Sequence, residues 1–284
     1  MHVNANKTAG FSLVELLVVI AVIAIISSIL LPVLAKSEER ARAAFCLNNT
    51  KQLATALELY ADEHDQFLPY NLQMAGSSFR TPLNWVNNVM TWDLSPDNTN
   101  TATITGASLG PYIANPNIYR CPSDHVLSGT QIAAGWSGGR IRSYSLNAMV
   151  GDVGIAFTNG VNVNNPNYMQ FIKMTQILHP SGIFTFLDEH PDSINDGYFL
   201  DNDDANKDGW NSWSSANTSV SWNHLPASYH NGCTAFSFAD GHGEVHRWLN
   251  SSTLLPANPY AAGLPIPAAE PDFDWVIDHM SIEN

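Results

Sequence analysis

The chain has 284 residues, of which 26 are acidic and 12 are basic, and its formal net charge is −14. So few Lys and Arg side chains argue against a nucleic-acid-binding surface, which needs clustered basic residues. Three cysteines, Cys46, Cys121 and Cys233, are compatible with one disulfide and one remaining thiol in an extracytoplasmic protein, but the sequence does not assign the pair. There is no C-x-x-C pair, which argues against a zinc knuckle and a thioredoxin-type motif.

An apolar segment near the N-terminus is the strongest pattern in the chain. Between residues 16 and 35 only Ser27, Ser28 and Pro32 interrupt the hydrophobic side chains. At a rise of about 1.5 Å per residue, a helix of twenty residues spans roughly 30 Å, the thickness of a bilayer's hydrocarbon core. The segment shows no polar face, and the residues after Leu34, AKSEERARAAF, offer no convincing A-x-A cleavage site. The segment therefore predicts a transmembrane helix rather than a core helix or an ordinary secretory signal.

The residues in front of this segment carry a second pattern. A polar leader ends in Gly10, Phe11 follows, and Glu15 is the one carboxylate in the apolar stretch. The letters G-F-S-L-V-E and the apolar run after them closely resemble the class III signal of type IV pilins and type II secretion pseudopilins. The resemblance implies cleavage after Gly10 by a prepilin peptidase and N-methylation of Phe11. It also implies that Glu15 pairs with the free N-terminus of a neighbouring subunit during assembly, since a buried carboxylate needs a matched partner.

A plain single-pass anchor is the alternative, and it would leave Gly10, Phe11 and Glu15 unexplained. In the pilin interpretation the leader, residues 1–10, starts in the cytoplasm, residues 11–35 cross the inner membrane, and the C-terminal head lies in the periplasm. The positive-inside rule alone would favour the opposite orientation, because four basic residues follow the segment and one Lys precedes it. The resemblance implies as partners a prepilin peptidase, copies of the chain or sister subunits, an inner-membrane assembly platform and membrane lipid.

The chain beyond the membrane segment continues as an amphipathic helix. Residues 36–64 contain no Pro or Gly, and Leu47, Leu53, Leu57 and Tyr60 fall near one face. We therefore predict one helix from about Phe11 to about Glu63, with its first half in the membrane and its second half against a head. The resulting fold class is α+β, in the lollipop form of pilins, with the helix packed on an antiparallel β-sheet in a head of residues 65–284.

Strands are predicted within this head at three places. Residues 183–187 form a mostly apolar run, and residues 234–238 alternate apolar and small side chains. Asp240-Gly241 then supplies a turn, and residues 244–248 form the returning strand of a hairpin. The tail after Leu249 is rich in Pro and Ala and is expected to lie across the surface.

One sequence signature overlaps this hairpin. His230 is followed after nine residues by Asp240 and Gly241, which resembles the H-x9-DG signature of large pseudopilin-like proteins from planctomycete- and verrucomicrobia-type bacteria. We interpret these three residues as a structural motif, because Asp before Gly is common turn chemistry.

An acidic loop is a candidate calcium site. Residues 204–209 fit D-x-[DN]-x-[DN]-G, the first half of a calcium-binding loop, although Ser215 stands where an EF-hand has its bidentate Glu. The candidate ligands are the side chains of Asp201, Asp203, Asp204, Asn206 and Asp208 and the backbone carbonyl of Trp210. The alternative is a solvated acidic loop without an ion.

A second set of residues has metal-ligand chemistry. It comprises His224, His230, His242 and His246 with Asp188, Glu189, His190 and Asp240. A transition-metal site is one interpretation and a structural hydrogen-bond network is the favoured one.

The function predicted from these patterns is that of a structural subunit, a pseudopilin or minor pilin, without enzymatic activity. No G-x-S-x-G, H-E-x-x-H or phosphate-binding loop occurs. The alternative is a membrane-tethered carbohydrate-binding or hydrolytic head, because eight Trp and nine Tyr could stack on sugars. In the hydrolytic case, Asp188 or Glu189 would carry the activity. Ca²⁺ is the cofactor considered.

Overall fold

The computed structural model describes residues 12–73, 80–154, 157–162, 165–201, 221–259, 266–267 and 271–283. Internal contacts divide the chain between Ala41 and Arg42 into two units, and each is described by itself. The described helices are α1 (Leu13–Glu63), α2 (Ala102–Thr105), α3 (Gly129–Ala133) and α4 (Asp272–Asp278). The described strands are β1 (Tyr144–Asn147), β2 (Phe157–Thr158), β3 (Val161–Asn162), β4 (Phe184–Asp188), β5 (Tyr198–Phe199), β6 (Ser221–Trp222), β7 (Cys233–Phe238), β8 (Gly243–Arg247) and β9 (Ile266–Pro267).

Helix α1 is one continuous helix of 51 residues, which confirms the prediction of a single long helix. Its apolar first part contains a window long and apolar enough to cross a membrane, and no side chain of that window is buried. In the second unit, α1 buries Cys46, Leu53, Leu57 and Tyr60 on one face. These spacings of seven, four and three residues are those of an amphipathic helix packed on a core.

The second unit is built on a five-stranded sheet with strand order β5-β1-β4-β7-β8. Neighbours from β1 to β8 are antiparallel, whereas β5 is parallel to β1, with Leu146 opposite Tyr198. The α+β class is confirmed, but the prediction of an antiparallel sheet is corrected to a mixed one. The three predicted strands form as β4, β7 and β8, each within one residue of its expected ends.

The two faces of the sheet pack against different helices. On one face, Ala235 of β7 lies in a buried cluster with Leu53 and Leu57 of α1. On the other, Phe236 lies in a cluster with Phe273 of α4. Successive residues of a strand point to opposite faces, so the sheet is layered between α1 and α4.

The segment around α4 contradicts the expectation of a surface tail after Leu249. Phe273, Val276, Ile277 and Met280 are buried in the core of the second unit. The helix is short and follows a stretch rich in Pro and Ala, which hid the spacing i, i+3, i+4 and i+7 of its three buried apolar residues and of Met280 just after it.

Candidate functional site

The predicted cleavage and methylation residues, Gly10 and Phe11, lie outside the described residues. Glu15 lies in the first turn of α1 and is exposed. The N–H of Ser12 donates to Glu15 Oε2 at 2.8 Å, and the N–H of Glu15 donates to Ser12 Oγ at 3.2 Å. These reciprocal bonds form a capping box, which satisfies backbone donors at the start of the helix. Glu15 thus caps its own helix in the single chain, and the S-x-x-E spacing could have predicted this role for Ser12.

The first part of α1 exposes a continuous apolar surface. Its large apolar side chains between Leu13 and Leu34 are 47–80% exposed. Soluble monomers rarely expose apolar patches of this extent, and such patches mark membrane or protein contacts. The surface is therefore suited to lipid or to the apolar helices of other subunits.

The H-x9-DG residues lie at opposite ends of strand β7. His230 precedes the strand and is buried, whereas Asp240 and Gly241 follow it in the turn to β8. At the turn, Asp240 Oδ1 accepts a hydrogen bond from the N–H of His242 at 3.1 Å, and Gly241 has a φ of +79°. A positive φ favours glycine because it has no Cβ.

Both ends of this signature face helix α1. A Cβ on Gly241 would lie 3.0 Å from Glu58 Oε1. His230 Nε2 lies 3.4 Å from the sulfur of Cys121, which forms a disulfide with Cys46 of α1. The twelve residues from Cys46 to Glu58 rise about 18 Å along the helix, close to the roughly 20 Å length of a six-residue strand. The signature residues therefore bracket the contact between β7 and α1.

The disulfide resolves the pairing that the sequence left open. Cys46 and Cys121 are 75 positions apart, and their Cα atoms are 5.4 Å apart. Cys233, at the start of β7, is the free cysteine and is half-buried. Burial raises the pKa of the Cys233 thiol.

A buried carboxylate completes the surroundings of His230. Asp188, at the end of β4, is fully buried, and its Oδ2 lies 3.6 Å from His230 Nε2. This separation exceeds a normal hydrogen bond, and neither carboxylate oxygen of Asp188 accepts a hydrogen bond from the described residues. Burial raises the pKa of Asp188 to about 6, although nearby His230 opposes the shift. We call Cys46, Cys121, Asp188 and His230 the buried tetrad.

Glu189, the residue after Asp188, belongs to a different network. It lies 3.0 Å from His224 Nδ1, and it accepts hydrogen bonds from the hydroxyls of Ser193, at 2.9 Å, and Ser145. Burial opposes the charged form of His224, but the Glu189 carboxylate outweighs this effect and the pKa of His224 rises to about 9. Glu189 is fully buried, and its contacts form a local hydrogen-bond network.

The remaining histidines of the predicted cluster are separate. His242 stacks on Phe238 with ring centroids 4.3 Å apart, and His246 stacks on Trp275 at 3.8 Å. His190 contacts the carbonyl of Leu255 through Nε2 at 3.0 Å. The predicted eight-residue cluster thus divides into local contacts, and only His230 and Asp188 come together with the two disulfide cysteines.

The calcium prediction falls mostly outside the described residues, which exclude Asp203, Asp204, Asn206, Asp208 and Trp210. Asp201 is described and fully buried. Its Oδ1 accepts hydrogen bonds from the N–H groups of Asn223, at 2.8 Å, and His224, at 3.1 Å. Burial raises the pKa of Asp201 to about 8. Calcium in this loop stays a prediction.

The described tryptophans divide equally by exposure, and Trp92, Trp136 and Trp275 are half-buried. Trp85, Trp222 and Trp248 are fully buried. Two surface pockets lined by described residues, one beside Arg80 and one beside His190, have volumes of about 280 and 210 Å³. Typical small-molecule sites measure roughly 300–1,000 Å³. These two pockets are therefore small for a ligand site.

Comparison with protein families gives one match. The model of the prokaryotic N-terminal methylation motif matches residues 5–31. Searches of curated proteins and of solved structures gave no match. The matched residues cover the N-terminal signal and the start of α1, which supports a pilin-type precursor that is processed at its N-terminus. The H-x9-DG resemblance stays a prediction.

Proposed function

We propose that the chain is a structural subunit, a pseudopilin or minor pilin, of a type IV pilus-like or type II secretion filament. The observation that carries this proposal is the methylation motif at residues 5–31, placed directly on an exposed apolar helix. A prepilin peptidase would remove residues 1–10 and methylate Phe11, and the first part of α1 would then pack among the helices of copies or sister subunits. The head would lie in the periplasm.

Glu15 has a specific place in this proposal. In the single chain its carboxylate accepts a hydrogen bond from the N–H of Ser12. Cleavage after Gly10 would create an ammonium group on Phe11, four residues before Glu15, and the same group on a neighbouring subunit would be a stronger partner for the carboxylate. Assembly would exchange the local cap for an ion pair between subunits.

The test is co-expression of the full chain with an active prepilin peptidase or with a catalytically dead one. Intact-mass and N-terminal analysis should show loss of residues 1–10 and one added methyl group with the active enzyme only. Glu15→Gln should still be cleaved but should lose co-purification with sister subunits. A chain that keeps Met1 beside an active peptidase would contradict the proposal.

Calcium in the acidic loop is a separate proposal. Asp203, Asp204 and Asp208 place three carboxylates within six residues of the chain, and these repel one another unless a cation screens them. Calcium should raise the melting temperature of the chain and chelator should lower it, since a ligand of the folded state stabilises it. Asp204→Ala and Asp208→Ala should abolish the difference, and an unchanged melting temperature in the wild type would contradict calcium binding.

A further inference from the structure

We propose that the buried tetrad is a zinc-class metal site in the dithiol form of the protein, so that the disulfide and the metal ion are alternative occupants of one place. The tetrad consists of Cys46, Cys121, Asp188 and His230. It does not depend on the function proposed for the N-terminal helix, because all four residues lie in the second unit.

The first argument is the set of donor atoms. One ligand atom from each residue of the tetrad lies within 4.8 Å of the others, and all four residues are buried. Two thiolates, one imidazole and one carboxylate are ligand types that zinc accepts in four-coordinate sites. The ligands come from α1, the loop after residue 120, β4 and the loop before β7, so they are positioned by separate parts of the core.

Distances between the donors support the same geometry. Tetrahedral zinc with Zn–S of about 2.3 Å and Zn–N of about 2.0 Å places sulfur and nitrogen about 3.5 Å apart. The observed separation of Cys121 Sγ and His230 Nε2 is 3.4 Å. The observed separation of His230 Nε2 and Asp188 Oδ2 is 3.6 Å, and the corresponding nitrogen–oxygen separation around zinc is about 3.4 Å.

An unsatisfied carboxylate is the second, independent observation. Asp188 is fully buried at the end of β4, and neither of its oxygens accepts a hydrogen bond from the described residues. A buried carboxylate without hydrogen bonds is costly, and native structures seldom keep one without a reason. A metal ion at the tetrad would bond directly to this carboxylate, which otherwise has only the longer 3.6 Å contact with His230 Nε2 in the described residues.

Opening the disulfide requires a two-electron reductant, and a dithiol is the reductant that would act on the native protein. Thiol–disulfide exchange transfers two electrons to the sulfurs of Cys46 and Cys121, which take up two protons as the reductant becomes a disulfide. Zinc then binds and displaces both thiol protons, while Asp188 binds as a carboxylate and His230 as a neutral imidazole. Around zinc the two sulfurs would be about 3.8 Å apart, which requires only a small adjustment of cysteines whose Cα atoms are 5.4 Å apart.

The test uses the full chain in detergent, reduced with a phosphine under anaerobic conditions, freed of the reductant and titrated with Co²⁺. The expected result is one Co²⁺ per chain with the visible absorption of tetrahedral cobalt and a thiolate-to-cobalt charge-transfer band, both lost on adding Zn²⁺. The oxidised protein should give neither band. His230→Gln and Asp188→Asn should each weaken Co²⁺ binding more than about tenfold. Removal of a residue that only hydrogen-bonds to a metal ligand already lowers metal affinity about 10–100-fold.

His246→Gln is the matched control, because His246 stacks on Trp275 and lies outside the tetrad. It should bind Co²⁺ like the wild type. Each variant is first melted in its oxidised form, so that a folding defect is recognised. In the reduced wild type, Zn²⁺ should also slow alkylation of Cys46 and Cys121 and leave Cys233 unchanged. A reduced wild type without tetrahedral cobalt bands, or binding that is equal in the His230 and His246 variants, would overturn the proposal.

Discussion

The two parts of helix α1 differ in how much of their apolar surface is exposed, although the backbone helix is continuous. Between residues 13 and 34 the large apolar side chains are 47–80% exposed, whereas between residues 46 and 61 they are largely buried on one face. A helix that is apolar on all sides needs an apolar environment, and a helix with one apolar face needs a core. The contrast shows how a single helix can serve two environments when the hydrophobic pattern changes along it.

The strength of attachment also differs between the two parts. The side-chain hydrogen bonds of the first part that join described residues are local, such as the capping box of Ser12 and Glu15. The second is joined to the head by the Cys46–Cys121 disulfide and by packing around Leu53 and Leu57. Changes in the first part should therefore affect membrane insertion and assembly, and changes in the second should affect the stability of the head.

Removal of the disulfide should have the largest effect on the second part. Cys46→Ala combined with Cys121→Ala should lower the free energy of unfolding by about 4 kcal/mol, because the link closes a long loop in the unfolded chain. Chemical denaturation of the full chain in detergent with chelator present measures this loss. Cys233→Ala is the control and should change stability little. Equal stability of the double variant and the wild type would mean that packing alone holds the helix.

A charge in the first part should break its membrane insertion without harming the head. Ile23→Asp should lower the insertion equilibrium by about 100-fold, since a central acidic residue costs about 2.5–3.5 kcal/mol on insertion scales. Alkaline extraction of membranes measures the inserted fraction, and Ile23→Leu is the control. Unchanged insertion of the Asp variant would contradict a spanning role for residues 13–34.

The Glu189–His224 pair should make the stability of the head depend on pH. The pKa of His224 is about 9 in the folded state and 6.5 ordinarily. The stabilisation is therefore complete below about pH 6.5 and is lost as the pH rises through 9. The raised pKa of Asp201, about 8, acts in the same direction because ionisation of that buried carboxyl opposes folding.

Thermal or chemical denaturation across this range measures the effect. Between about pH 6.5 and pH 9.5 the free energy of unfolding of the wild type should fall by on the order of 2 kcal/mol more than that of His224→Gln, since one pKa unit corresponds to about 1.4 kcal/mol. His242→Gln is the control, because His242 is exposed and lies outside this network. Parallel pH profiles for the wild type and His224→Gln would show that the Glu189–His224 pair does not cause the pH dependence of stability.

The smallest expected effect concerns the turn that faces Glu58. Gly241→Ala should destabilise the head by about 1 kcal/mol, because its φ of +79° is unfavourable for a residue with a Cβ. Gly135→Ala is a matched control, since Gly135 has a φ of +84° and nothing lies near its Cβ position. Denaturation midpoints should show a slightly larger loss at position 241, where the Glu58 side chain must move. A smaller loss there than at position 135 would show that the turn does not constrain α1.

Local sequence patterns were sufficient to predict a large part of this structure. The apolar run and the amphipathic spacing of Leu53 and Leu57 predict α1 almost to its ends, and the alternation around Asp240-Gly241 predicts the β7–β8 hairpin. Helix α4 was missed because it is short and follows a Pro- and Ala-rich stretch. The parallel pairing of β5 with β1 was also missed, since nothing in a two-residue strand indicates its direction.

The sequence by itself determined the N-terminal helix, its apolar surface and the processing signal, because each depends on residues that are neighbours along the chain. Only the tertiary structure decided that Cys46 pairs with Cys121, that Asp188 and His230 adjoin them, and that Glu189 serves a separate network. These contacts join residues that are tens of positions apart, and the periodicity of neighbouring residues does not predict them. Their positions follow from the order of strands in the sheet and from the face of α1 that packs on it.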